Sequence, residues 1–186
     1  MQNTTFSLRR LAGLEGKSLE PHTLVDIAMP RQVLIVCTAN QCRSAAAALL
    51  LSDMLERTDV SVKVVSSGTD ALYNVAALPD TIAAMKELGY DLSQHRSLPV
   101  SFPMLTESDL ILGMTRHHVL TLLDTWPPGT SRVRLFKPYC EGRPDVLQDA
   151  TDDIADPVGK PIEAHRQCVR QLFDLLTLLV ERWTRA

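Results

Sequence analysis

The chain has 186 residues, enough for one domain with a substantial core and short for two. Apolar residues make up 45% and aromatics only 5%, so Leu, Val, Ile and Ala must build the interior. A formal net charge of -3 lacks the basic face of a nucleic-acid binder, and no stretch approaches the roughly 18 apolar residues of a membrane span.

Residues 1–30 are mixed and poorly periodic, and read as a partly ordered extension with a short helix around 5–13. They lack the apolar block of a secretory signal; Arg9, Arg10, Thr4, Thr5 and Ser7 faintly suggest a transit peptide, which Glu15 and Glu20 weaken. The domain proper is expected over 31–186. It opens with QVLIVCT (32–38), a continuous apolar run suited to a strand buried on both faces. RSAAAALLLSDMLER (43–57) is dense in strong helix formers. VSVKVVSS (60–67) is a second strand, and PDTIAAMKELG (79–89), opened by Pro-Asp and closed by Gly, a second helix. DLILGM (109–114) is a third strand, followed by a helix over 116–124, and RVRLF (132–136) a fourth. A long loop is expected from 137 to 159, holding Pro138, Gly142, Pro144, Pro157 and Gly159. The closing helix, 161–184, sets Leu172, Leu175, Leu176, Leu179 and Trp183 on one side. Strands alternating with helices predict an α/β fold, a three-layer doubly wound sandwich around a four-stranded parallel sheet. Ligands of such sheets bind at the carboxyl ends of the strands, where Cys37 falls.

The chemistry concentrates in VLIVCTANQCRS. A cysteine near its ordinary pKa of about 8.5 is only a few per cent thiolate at neutral pH. Here the loop leads into a helix whose first N–H groups lack intrahelical partners and whose dipole favours negative charge. Arg43 adds a fixed positive charge, so Cys37 is expected in the ~3.5–7.5 range of activated thiols. The same N–H groups suit a phosphate, and a guanidinium grips two of its oxygens at once. From Arg43 to Ser52 there is no carboxylate to compete. The ordinary reading of a Cys in a buried strand is a small core hydrophobe; the strand-to-helix placement, with Asn40 inside the loop and Ser44 just after it, favours function. The four cysteines (37, 42, 140 and 168) are too few and scattered for a disulfide framework, and suit a reducing, cytoplasmic compartment.

VCTANQCRS resembles the loop of the low-molecular-weight protein tyrosine phosphatase family, whose usual form is V-C-x-G-N-x-C-R-S. SSGTDAL (66–72), PDTIAAMKELGYDLSQHRS (79–97), DLILGMTRHH (109–118) and DIADPVG (153–159) follow in the family's order, extending the resemblance over 31–184. It implies a bacterial-type member with flavodoxin-like strand order 2-1-3-4. It also implies a nucleophilic Cys37 forming a phosphocysteine, Arg43 on the phosphoryl oxygens, and Asp156 as acid and then base. Thr38, Ala39, Asn40, Gln41, Cys42 and Ser44 would line the phosphate loop, and Ser44 would donate to the sulfur. Ser67, His95 and Asp153 would support it. The remaining histidines, 22, 117, 118 and 165, show no metal-ligand spacing and are expected to be solvated. No metal or organic cofactor is implied.

Three departures bear on the pocket. Ala39 stands where the family usually has Gly and would be strained at positive φ. Ala45 replaces a Pro, and Val158-Gly159 lacks the aromatic that commonly follows Asp-Pro; Tyr73 is the candidate replacement wall. A deep cleft favours phosphotyrosine over phosphoserine, whereas the polar Gln41 keeps phosphoarginine as the alternative. Two further rivals are a thioredoxin-coupled arsenate reductase, which needs an additional resolving pair of cysteines, and a phosphate-binding module without turnover. Cys42 suggests a protective Cys37–Cys42 disulfide under peroxide, against simple packing beneath the loop. The implied partner is a phosphorylated protein, by family analogy a bacterial tyrosine autokinase, with the oligomeric state open between monomer and weak dimer.

Overall fold

Val33, Leu34, Ile35 and Val36 have no solvent exposure, so the unbroken apolar run forms a strand, β1 (Gln32–Cys37), covered on both sides. The computed structural model describes residues 29–145, 147 and 150–185. The helix expected over 5–13, most of the 1–30 extension and His22 lie outside them. β1 is followed by α1 (Arg43–Glu56), β2 (Lys63–Gly68), α2 (Pro79–Glu87) and α3 (Phe102–Glu107). Then come β3 (Leu110–Gly113), α4 (Arg116–Thr125), β4 (Val133–Leu135), α5 (Phe136–Glu141) and α6 (Ile162–Arg185). The strands pair in parallel in the order β2-β1-β3-β4, with Cys37 opposite Gly68 and Val36 opposite Gly113.

Alternation along β1 sends its side chains into two cores. Val33, Ile35 and Cys37 join Ala45, Ala46, Leu50 and Leu51 of α1 and Leu172, Leu176 and Leu179 of α6 on one face. Leu34 and Val36 join Leu105 of α3, Val119 and Leu122 of α4, and Trp126 on the other. The small alanines let α1 lie close to the sheet, and the i, i+3, i+4, i+7 stripe of α6 covers α1, α2 and α5. Truncating a wholly buried leucine in such a layer costs about 2–5 kcal/mol. Among the described residues no helix is long and apolar enough to cross a membrane.

The expected 137–159 loop is not continuous. It holds most of α5 and a 3-10 turn at Ala150–Asp152. Pro138 is compatible with α5 because it falls in the first turn, where an N–H has no intrahelical partner, and Gly142 closes the helix at φ 71°. The short α3 was not expected either; Pro103 in its first turn reads as a break, and six residues are too few for periodicity.

Candidate active site

The loop Thr38–Cys42 connects β1 to α1 at the carboxyl edge of the sheet, and its shape is set around Asn40. Asn40 alone in the loop takes the left-handed conformation, φ 53°, which its short polar side chain tolerates. Ala39 is not at positive φ, so the strain expected for its Cβ does not arise. Asn40 Nδ2 donates to the hydroxyls of Ser44 and Ser66, both at 2.9 Å, while Oδ1 accepts from the main chain of Leu98 at 2.9 Å. His95 Nε2 reaches the Asn40 carbonyl at 2.6 Å, and burial holds the imidazole below its ordinary pKa, as a neutral donor. Ser67 contributes through its carbonyl, 3.2 Å from the Ser44 hydroxyl, and its own buried hydroxyl has no protein partner among the described residues.

A neighbouring segment clamps the loop from outside. Thr69 and Asp70 donate main-chain N–H groups to the carbonyls of Cys37 and Thr38, and Leu78 donates to Gln41. The approach is close enough that a Cβ on Gly68 would stand 2.2 Å from the Thr38 carbonyl oxygen. The same segment carries Leu72 and Tyr73, both exposed, and is anchored through Ser97, whose hydroxyl donates to the Leu72 carbonyl at 2.6 Å. Tyr73, the candidate stacking surface, is 74% exposed.

Inside the loop, Cys37 is 2% exposed and its Sγ lies 3.0 Å from Ser44 Oγ. The first turn of α1 holds no acidic residue and no side chain caps it. Its amides therefore keep their partial positive charge for whatever occupies the loop. Arg43, also buried, sends Nη1 to the Ile154 carbonyl at 3.3 Å and Nη2 to the carboxylate of Asp156. Its Nε–H is buried with no partner among the described residues, an arrangement that costs about 1–3 kcal/mol unless an acceptor arrives. Asp156 is 42% exposed in side chain and also accepts the Val158 N–H at 3.1 Å. Asp153 is turned away: it accepts the Arg116 N–H at 2.7 Å and pairs with that guanidinium, tying the 153–159 segment to α4. Ile154 N–H donates to the Met114 carbonyl beyond β3, which fixes the height of Asp156 above the sheet.

Two histidines expected in solvent are buried. His165 packs in α6 with Nδ1 2.9 Å from Thr81 Oγ1, and His118 is only 2% exposed, with Nε2 3.0 Å from Thr38 Oγ1. His117 is exposed. Burial, then the charges of Arg43 and His117, push His118 down to about 4, with Asp156 opposing. The unfolded chain thus takes up a proton near pH 6.5 that the fold refuses until about pH 4. Stability from this group is complete above that window and falls as pH drops through it, by up to about 3 kcal/mol. Urea unfolding near pH 7 and near pH 4.5 checks this: the loss on acidification should be smaller in His118→Asn than in the wild type.

All four cysteines are free and buried. Cys42 is buried under the loop, where the neighbouring Cys168 draws its thiol down against burial, while Cys42 and burial together drive the Cys168 thiol up. Cys140 is wholly enclosed in α5, where burial raises its thiol strongly. Neither Cys140 nor Cys168 sits on an exposed segment of the kind a resolving cysteine needs.

The site thus brings together a buried thiol, a helix N-terminus without acidic or capping side chains, and a buried guanidinium paired with a partly exposed carboxylate. Residues 32–186 match the family described as low molecular weight phosphotyrosine protein phosphatase. A protein-arginine-phosphatase of Bacillus subtilis is 30% identical over 150 residues, 81% of this chain and 95% of its own length. The low molecular weight protein-tyrosine-phosphatase Wzb of Salmonella typhi is 30% identical over 158 residues, 85% of this chain and 95% of its own. The crystal structure of a YwlE mutant from Bacillus subtilis superposes with a TM-score of 0.74 at 29% identity, covering 82% of this chain and 97% of that one.

Proposed function

The chain belongs to the low molecular weight phosphotyrosine protein phosphatase family, and on that premise we propose that it hydrolyses phosphotyrosine in proteins through a phosphocysteine. The observation that carries the reading is the buried Arg43 guanidinium at the end of the Cys37 loop, with Nε–H unpaired among the described residues and Nη2 on Asp156. A phosphoryl group entering the loop gives that fork its missing acceptors and releases Asp156 toward the leaving group.

In the first half-reaction the Cys37 sulfur attacks phosphorus, the S–P bond forms, and the P–O bond to tyrosine breaks. Asp156 gives its proton to the departing phenolate oxygen. Arg43 and the loop amides take the charge on the equatorial oxygens, with no rearrangement during the reaction. In the second, Asp156 takes a proton from water, whose oxygen attacks phosphorus; the S–P bond breaks and phosphate leaves. The Ser44 proton has two acceptors, the Ser67 carbonyl and the Cys37 sulfur, and it moves to sulfur when sulfur carries charge.

Replacing Asp156 by Ala should lower kcat on a phosphotyrosine peptide by about 10²–10⁴-fold. The loss should shrink on an aryl phosphate whose leaving group is stable as an anion. An equal loss on both substrates would remove Asp156 from the acid role.

Phosphoarginine is the second reading, favoured by half-buried Gln41 in the loop and by the named activity of the Bacillus subtilis relative. Comparing kcat/KM on phosphotyrosine and phosphoarginine peptides, for wild type and Gln41→Ile, separates the two. A phosphorylated protein is the proposed partner, with a bacterial tyrosine autokinase as one candidate. The free thiols support a reducing site of action such as the cytoplasm.

A further inference from the structure

We propose that the Thr38 hydroxyl binds a phosphoryl oxygen of the substrate, and that His118 is the positioning residue that holds it in a donating orientation. The inference rests on the phosphatase reading and extends it to two side chains.

Thr38 follows Cys37 directly and is the exposed residue of the loop. Its Oγ1 lies 3.0 Å from His118 Nε2 and 3.5 Å from Arg43 Nη2. The far side of the imidazole settles which nitrogen carries the proton. His118 Nδ1 receives the main-chain N–H of Thr115 at 3.1 Å and faces the Thr115 hydroxyl at 2.8 Å. A main-chain N–H can only donate, so Nδ1 accepts and the ring proton sits on Nε2. Nε2–H therefore donates to Thr38 Oγ1. The Arg43 Nη2–H is directed at the same oxygen from a second side.

A hydroxyl has two lone pairs and one proton. With donors on both lone pairs, the proton of Thr38 must point elsewhere. Its oxygen neighbours Nη2, one of the donors that grips phosphate, so a phosphoryl oxygen held there also lies within reach of that proton. The support for the hydroxyl is rigid. His118 occupies the first turn of α4 in a reciprocal cap with Thr115, whose side chain accepts the His118 N–H. The chain of bonds thus runs from the end of the sheet to the mouth of the loop through buried or helical groups. The neutral ring this requires agrees with its surroundings: burial and then the Arg43 guanidinium disfavour a charged His118.

The test uses wild type, Thr38→Val, Thr38→Ser, His118→Asn and the Thr38→Val/His118→Asn double variant. Turnover of para-nitrophenyl phosphate gives kcat and KM, and inhibition by inorganic phosphate gives binding. Thr38→Val keeps the side-chain shape without the hydroxyl; it should weaken phosphate inhibition and lower kcat/KM by about tenfold. Thr38→Ser should restore both to within about threefold of wild type. His118→Asn should lose activity in the same direction and add nothing on the Thr38→Val background, since the two groups act as a unit. Wild-type behaviour of Thr38→Val would overturn the proposal. So would a His118→Asn loss of undiminished size in the double variant, the mark of a merely structural histidine. A wild-type protein with no turnover would instead remove the phosphatase reading. Phosphate protection of Cys37 against alkylation would then still compare Thr38→Val with wild type, and equal protection would overturn the binding role.

Discussion

Replacing Cys37 with serine should abolish turnover of phosphotyrosine and aryl phosphates, a loss on the order of 10⁴-fold or more. The substitution exchanges sulfur for oxygen in a space already shaped for a small side chain, with Ser44 Oγ 3.0 Å away, so the fold and the oxyanion cradle should survive. What disappears is the nucleophile, because an alcohol remains protonated where a thiol can be ionised. The variant should therefore still bind phosphate. Steady-state kinetics and phosphate titration of the same sample check both halves. Residual activity within tenfold of wild type would place the nucleophile elsewhere.

Arg43→Lys should reduce kcat/KM by about 10³-fold while leaving the chain folded. The positive charge is kept, but an ammonium is a compact point charge and cannot present two parallel N–H groups. In the structure Arg43 directs Nη1 at the Ile154 carbonyl and Nη2 at Asp156 and the Thr38 hydroxyl, while its buried Nε–H has no acceptor among the described residues. Lysine can reach one of these at a time. The defect should therefore appear in kcat as well as KM, since the phosphoryl charge grows and spreads in the transition state. A change confined to KM would mean that Arg43 only collects substrate.

Why some of this was legible from sequence and some not follows from how each residue gets its neighbours. β1 and α1 are written locally, one as an unbroken apolar run and the other as an Ala-Leu helix, and the loop between them carries Cys37 and Arg43 by position alone. The contact of Asp156 with Arg43 spans 113 residues and depends on Ile154 hanging from the end of β3. Only a motif in register points to it. The motif points to Ser67, but successive strand residues face opposite ways: the Asn40 amide takes the Ser66 hydroxyl, and Ser67 contributes its carbonyl. His118 lacks metal-ligand spacing and so reads as a solvated histidine. The signal was present all the same: His118, Val119 and Leu122 share the buried side of α4, as His165, Cys168, Val169 and Leu172 share that of α6. A histidine inside an apolar stripe needs a partner, and both found a threonine.

The most direct test of the account is to trap the covalent intermediate. Asp156→Ala, mixed with an aryl phosphate whose leaving group needs no proton, should load faster than it clears. A rapid denaturing quench and peptide mapping should then find a phosphoryl group on the Cys37 sulfur, absent in Cys37→Ala. Product release with no phosphoenzyme at any time, or the phosphoryl group on another residue, would contradict it.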